Sequence, residues 1–301
     1  MFGASDYWFI TVRNFQARKL MTPRSPRVRE VCGGVLARAA HRHEVKLLGY
    51  VFLSNHFHLI IHARGVGVAE FMKYLLSNLA KKLAPLCGEP WWGRFWERRY
   101  SAAPILDEKA LETRLHYVLS HGVKEGLVAS PLEWEGLHCA GQIVSEAPLS
   151  FRWFDWTRRW NAKNRPSFDA QNLAGRYSEE FSDEEQLVLE PLPQWARMPQ
   201  QQRRQAAEQM VRDIELLHRK ERVIGMARVK NEGLDPPVKR KRTNRPMCHS
   251  ASWVTSHRHR LDYWAFADAF RAASGVWRTG KPIEFPRDCF KPFISSEIQV
   301  V

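Results

Sequence analysis

The stretch KLLGYVFLSNHFHLIIHA, residues 46–63, holds two β-rich runs separated by only Ser54 and Asn55. Lys46–Leu53 and His56–Ala63 therefore read as neighbouring antiparallel strands in a tight connection, closed by Gly65 and Gly67. On the N-terminal side, Arg27–His43 puts Val28, Val31, Cys32, Val35, Leu36 and Ala39 on one helical face, and Tyr7–Arg13 (YWFITVR) reads as a first strand. On the C-terminal side, Val68–Ala84 repeats Phe71, Leu75, Leu79 and Leu83 at helical spacing and stops at Pro85 and Gly88. Arg94–Ser101 (RFWERRYS) reads as another strand, and Asp107 as the N-cap of a helix running to about His121. The order strand, helix, strand, strand, helix, strand, helix is a split βαβ pattern with one added helix. It predicts an α+β domain, a ferredoxin-like antiparallel sheet with helices on one face, over residues 1–145.

Residues 146–301 change character and are expected to form a basic, mainly helical C-terminal region. Residues 151–199 show no sustained period and contain an acidic run, Ser178–Glu185. A helix is predicted over Gln200–Arg228, from the stripe of Ala207, Met210, Val211, Ile214 and Leu217, and another over Trp253–Ala273. Between them the run DPPVKRKRTNRP, residues 235–246, combines prolines with cations and reads as an extended, solvated linker.

Charge narrows the partners. The 301-residue chain carries a formal charge of +14, positive in both halves, which favours a polyanion. No apolar run approaches membrane-spanning length, and no basic-then-apolar leader opens the sequence, so a cytoplasmic protein without membrane contact is expected. The five scattered cysteines suggest neither a disulfide framework nor a Cys-x-x-Cys zinc site. A Gly-x-x-x-x-Gly-Lys loop is absent, which argues against nucleotide-driven chemistry.

The chemistry concentrates in two places. Alternate strand residues share a face, so His56 and His58 point together while Phe57, Leu59 and Ile61 point to the apolar side. Two half-exposed strand histidines would show the same pattern, and His62, on the same face, reads as structural or peripheral. In the helix after Asp107, Leu111, Leu115, Val118 and Leu119 form the buried stripe. Tyr117 projects roughly 145° from its centre, on a line with Ala110, Arg114 and His121. A second packing face is the bland explanation of that line. The sharper one is a phosphoryl-transfer site. A phenol of ordinary pKa near 10 is ionised to only about one part in a thousand at neutral pH, so a divalent ion on His56, His58 and His121 would serve to activate Tyr117.

Ser54-Asn55-His56-Phe57-His58-Leu59 resembles the Pro/Ser-Asn-His-x-His strand of the HUH single-tyrosine transposases, most closely the REP-associated tyrosine transposases. The run RFWERRY over residues 94–100, YVLSHGVKEGLV over 117–128 and EWEGL over 133–137 extend the resemblance, which spans roughly residues 7–140. It implies a ferredoxin-like (RRM-like) fold with His56 and His58 as metal ligands and Tyr117 as nucleophile. The implied reaction cuts single-stranded or hairpin DNA with Mg²⁺ or Mn²⁺, giving a 5′-phosphotyrosine and a free 3′-OH. Where the family has Asn-Pro this chain has His121-Gly122. His121 either supplies the third ligand as a neutral nitrogen or marks an inactive copy.

For DNA contact, Arg94, Arg98 and Arg99 are interleaved with Trp92, Phe95, Trp96 and Tyr100, a pattern of phosphate neutralisation beside stacking rings, or of a half-buried strand with a cationic face. Arg114 and the run Lys239, Arg240, Lys241 and Arg242 complete the expected DNA-binding set. Related transposases act as monomers or dimers, which puts a homodimer among the expected partners. The competing classes are a non-catalytic or domesticated nucleic-acid-binding protein and a metal-dependent hydrolase without a covalent intermediate.

Overall fold

The computed structural model describes residues 6–87, 93–163, 179–219, 223–225 and 246–293. Strands β1 (Tyr7–Arg13), β2 (Lys46–Phe52), β3 (His56–His62) and β4 (Ser101–Pro104) form one antiparallel sheet in the order β2-β3-β1-β4. The chain enters helix α1 (Pro26–Arg42) between β1 and β2 and helix α2 (Gly67–Leu83) between β3 and β4. This is the predicted ferredoxin-like arrangement, with element ends within a residue or two of the sequence periodicity, except at β4.

Register fixes the two faces. Opposite His58 lie Thr11 on β1 and Val51 on β2, and opposite Ile60 lie Phe9 and Gly49. Cross-strand partners share a face, so Phe9 and Thr11 stand beside His56, His58 and Ile60 on one side of the sheet. Trp8, Ile10, Val12, Phe57, Leu59 and Ile61 fall on the other side, all buried, in the core shared with α1 and α2. Helix α3 (Glu108–Leu119) covers the histidine face. Gly49 permits its close approach, because a Cβ there would lie 3.0 Å from Leu115 Cδ1 and 3.4 Å from Ile60 Cδ1.

The predicted strand Arg94–Ser101 is displaced, and pairing with β1 begins only at Ser101. Upstream the chain runs irregularly beside the end of β1, touching it through Phe15 N–H to Phe95 C=O (2.9 Å) and Glu97 N–H to Arg13 C=O (3.0 Å). Phe95 and Trp96 are consecutive yet both pack inward, with ring centroids 4.7 Å apart, and a regular strand would send one of them out.

The expected boundary at 145 does not coincide with a break in packing. Helix α4 (Ala140–Ser145) leads into β5 (Leu149–Phe154), helix α5 (Trp156–Lys163) and β6 (Ser182–Leu187), and β5 and β6 pair as a second sheet. Phe151, Trp153 and Leu187 belong to the same buried cluster as the main sheet. Arg38 on α1 meets buried Glu185 at 2.6 Å. Tyr50 donates to Gln142 (2.7 Å), and Gln142 donates to Leu187 C=O (2.6 Å), a buried relay joining β2, α4 and β6. After the short helix α6 (Pro193–Ala196), helix α7 (Gln200–Leu217) adds Ala207, Met210 and Ile214 to that core. It ends eleven residues short of the predicted Arg228.

The last helix, α8 (Trp253–Arg278), is tied back through Asp107. One carboxylate oxygen caps α3 at Ala110 N–H (2.7 Å), and the other accepts from Ser250 Oγ (2.5 Å) and Ala251 N–H (2.9 Å). Burial opposes ionisation of this carboxyl, but the Ser250 and backbone hydrogen bonds hold it below its ordinary range. Among the described residues no helix is long and apolar enough to cross a membrane. The linker cations Lys239, Arg240, Lys241 and Arg242 lie outside the described residues.

His138 is buried beside β2, and its Nδ1 accepts from Ala140 N–H at 3.0 Å. Burial first, and then His121, lower its pKa from 6.5 to about 3. The unfolded chain takes up this proton below pH 6.5 while the native chain waits until about 3. Stability is therefore retained in full above the unfolded value and falls with acidification, by about 1.4 kcal/mol per pH unit for this group. Urea titrations over that range should show His138→Asn, which keeps an acceptor for Ala140, losing this part of the slope. Identical slopes would refute the assignment.

Candidate active site

His56 and His58 project from β3 toward α3, and His121 follows the end of that helix. One ring nitrogen from each lies within 4.8 Å of the other two. The His58 and His121 rings stack at 4.9 Å, with His56 at 5.1 Å from the first and 5.6 Å from the second. Tyr117 sits against this cluster, 5.5 Å from the His58 ring and 4.9 Å from His121. The sheet parity and the helical offset thus bring the four predicted residues into one partly buried cluster, flanked by Phe9 at 5.1 Å from His58 and 5.9 Å from Tyr117. His62 lies apart, its ring on Tyr7 at 4.8 Å and its Nε2 3.7 Å from Asp6.

Each histidine is oriented from outside. Asn55 Oδ1 accepts from Nδ1 of His56 at 2.6 Å, Thr11 Oγ1 lies 2.9 Å from Nδ1 of His58, and Glu125 accepts from Nδ1 of His121 at 3.2 Å. With Nδ1 engaged outward in every ring, Nε2 is the nitrogen left to face the cluster. Burial first, and then the neighbouring His121, push His56 down to about 3. Burial followed by His56 and His121 holds His58 well below its ordinary value, and burial likewise lowers His121 against the opposing pull of Glu125. All three are therefore neutral at pH 7, the form that donates a lone pair to a metal. An all-imidazole set suits a divalent transition ion.

His121 sits in a turn that sequence periodicity extended as helix. Gly122 has φ +88°, and its N–H donates to Glu125 at 2.6 Å. Proline cannot adopt that φ, so His-Gly in place of Asn-Pro shapes this turn as well as changing a side chain. The turn brings in two residues that the sequence reading missed, Lys124 and Glu125. The Lys124 ammonium stands 3.9 Å from the Tyr117 ring centroid, 3.1 Å from Nε2 of His121 and 3.6 Å from Glu125. Arg114 stacks its guanidinium over both Phe9 (5.7 Å) and Tyr117 (5.2 Å), so its predicted place near the nucleophile candidate is occupied. His249, from the segment before α8, was also missed. It lies edge-on to Phe9 at 5.4 Å, and burial followed by Arg114 lowers its pKa to about 4.

Of the expected DNA-contacting set, Arg94, Arg98 and Arg99 are exposed. Trp92 lies outside the described residues. Phe95 is buried, and Trp96 packs on Phe57 at 5.8 Å while donating its indole N–H to Leu76 C=O at 3.0 Å. Both rings therefore serve the fold, the alternative that the sequence left open for this segment. Trp96→Ala should cost about 3 kcal/mol in chemical denaturation. Arg98→Ala should stay within about 0.5 kcal/mol of the parent. A stable Trp96→Ala protein would return that ring to the candidate binding surface.

Residues 7–121 match the family described as "Transposase IS200 like". Among solved structures, a REP-associated tyrosine transposase bound to a REP hairpin is 18% identical, with a TM-score of 0.38 over 48% of this chain and 82% of that one. A candidate transposase from Deinococcus radiodurans R1 is 15% identical, with a TM-score of 0.30 over 37% of this chain and 87% of that one. No curated protein matches the chain.

Proposed function

Because residues 7–121 match the IS200-like transposase family, we propose that the chain nicks and rejoins single-stranded, hairpin-bearing DNA with Tyr117 as the nucleophile. The observation that carries this reading is the placement of the Tyr117 ring against His58 and His121 in one cluster. The phenol oxygen attacks phosphorus as its proton leaves. The P–O3′ bond breaks, the 3′ oxygen takes up a proton, and the 5′ phosphate stays on tyrosine. Reversal with a different 3′-OH rejoins the strand.

His56, His58 and His121 would hold Mg²⁺ or Mn²⁺, the nitrogen-rich set favouring Mn²⁺. When bound, such an ion withdraws charge from the scissile phosphate. The protein's own cations flank the nucleophile: the Arg114 guanidinium and the Lys124 ammonium lie 5.2 Å and 3.9 Å from the Tyr117 ring centroid, where they would meet the negative charge of an incoming phosphate. Arg94, Arg98 and Arg99 would grip the phosphates of the incoming strand, joined by Lys239, Arg240, Lys241 and Arg242. A non-catalytic DNA-binding reading draws on one observation, that Nε2 of His121 is already engaged by Lys124.

Incubation with hairpin-bearing single-stranded DNA and Mn²⁺ should give a covalent adduct that survives denaturation, and Tyr117→Phe should abolish it. Equal adduct from both proteins excludes Tyr117, and no adduct with any metal, despite salt-sensitive binding, favours the non-catalytic reading. Thr11→Val, which removes the partner of His58 Nδ1 without entering the cluster, should weaken Mn²⁺ binding by about 10- to 100-fold in calorimetry. Unchanged affinity would remove His58 from the metal set.

A further inference from the structure

Lys124 lies within the turn that follows α3, anchored by its N–H to Ser120 C=O at 3.0 Å. Its ammonium has three donors and three electron-rich neighbours: Nε2 of His121 at 3.1 Å, the Glu125 carboxylate at 3.6 Å and the Tyr117 ring face at 3.9 Å. The His121 contact is on the nitrogen that faces the cluster, since Glu125 takes the opposite one. It occupies the lone pair through which His121 would bind a metal. One nitrogen cannot serve both. A divalent charge accepted there would also stand a few ångströms from the ammonium, where like charges repel strongly in a partly buried site.

We propose that Lys124 is a resident competitor for the three-histidine centre, displaced from His121 when a divalent ion binds and thereby released toward the DNA phosphate beside Tyr117. The inference rests on the metal-centre reading above. It makes Lys124 a positioning residue in the metal-free protein and a phosphate contact in the loaded one. Metal loading and phosphate capture become a single event: the ammonium has lost its His121 acceptor at the moment a new anion is needed at the nucleophile. Glu125 remains on Nδ1 of His121 throughout and keeps the ring oriented.

The test separates binding from chemistry. Lys124→Met keeps the length of the stem and deletes the charge. Calorimetry with Mn²⁺ alone, on the full chain, should show it binding the ion on the order of tenfold or more tighter than the parent. The same variant should form less covalent DNA adduct at saturating Mn²⁺. In the metal-free protein, the ¹⁵N resonance of His121 Nε2 should shift on substitution, reporting the lost hydrogen bond. A residue that only supported the fold would weaken metal binding and activity together. Lys124→Gln serves if the methionine variant melts early. His58→Ala is the control for the underlying reading. Loss of Mn²⁺ binding in His58→Ala with no gain in Lys124→Met overturns the competitor role and leaves the metal centre standing. Binding unaffected by His58→Ala overturns both.

Discussion

Burial keeps three imidazoles neutral at the junction of a strand and a helix end, and the rest of the site depends on that neutrality. A charged imidazole at any of the three positions would offer no lone pair to the cluster. The sheet supplies the condition, because register puts Thr11 opposite His58 and Phe9 opposite Ile60, so the histidine face receives one oriented hydroxyl and one aromatic wall. The absence of a side chain at Gly49 supplies the other half by letting α3 close down until Tyr117 touches the rings.

Much of this was legible in the sequence because it follows from two periods. The two-residue repeat placed His56 and His58 together, and the helical repeat turned Tyr117 away from Leu111, Leu115 and Val118. What the periods could not carry was lost. Thr11 becomes a partner of His58 only through antiparallel register between distant segments. Lys124 and Glu125 enter because Gly122 breaks the helix with a left-handed residue, which a helical projection does not reproduce.

The aromatic-rich segments misled for a related reason. Phe95 and Trp96 look like a strand with stacking rings, yet both turn inward against Phe57 and α2, and nothing local announces two consecutive inward residues. Phe151 and Trp153 alternate as strand residues should, but the short β5 lies in a stretch without sustained period. Its burial against α1 places it in the first core rather than in a separate C-terminal body.

The double use of the Asp107 carboxylate has a consequence for the birth of the molecule. One oxygen starts the helix that bears Tyr117, and the other is claimed by Ser250, 143 residues further along the chain. On the ribosome the sheet and its first helices can assemble while that second oxygen is still hydrated. The clasp, and with it the His249 flank of the Phe9 wall, waits until synthesis has passed residue 250. The clasp consists of hydrogen bonds at a part-exposed edge, so the last part of the site to form is also one that local opening should release readily.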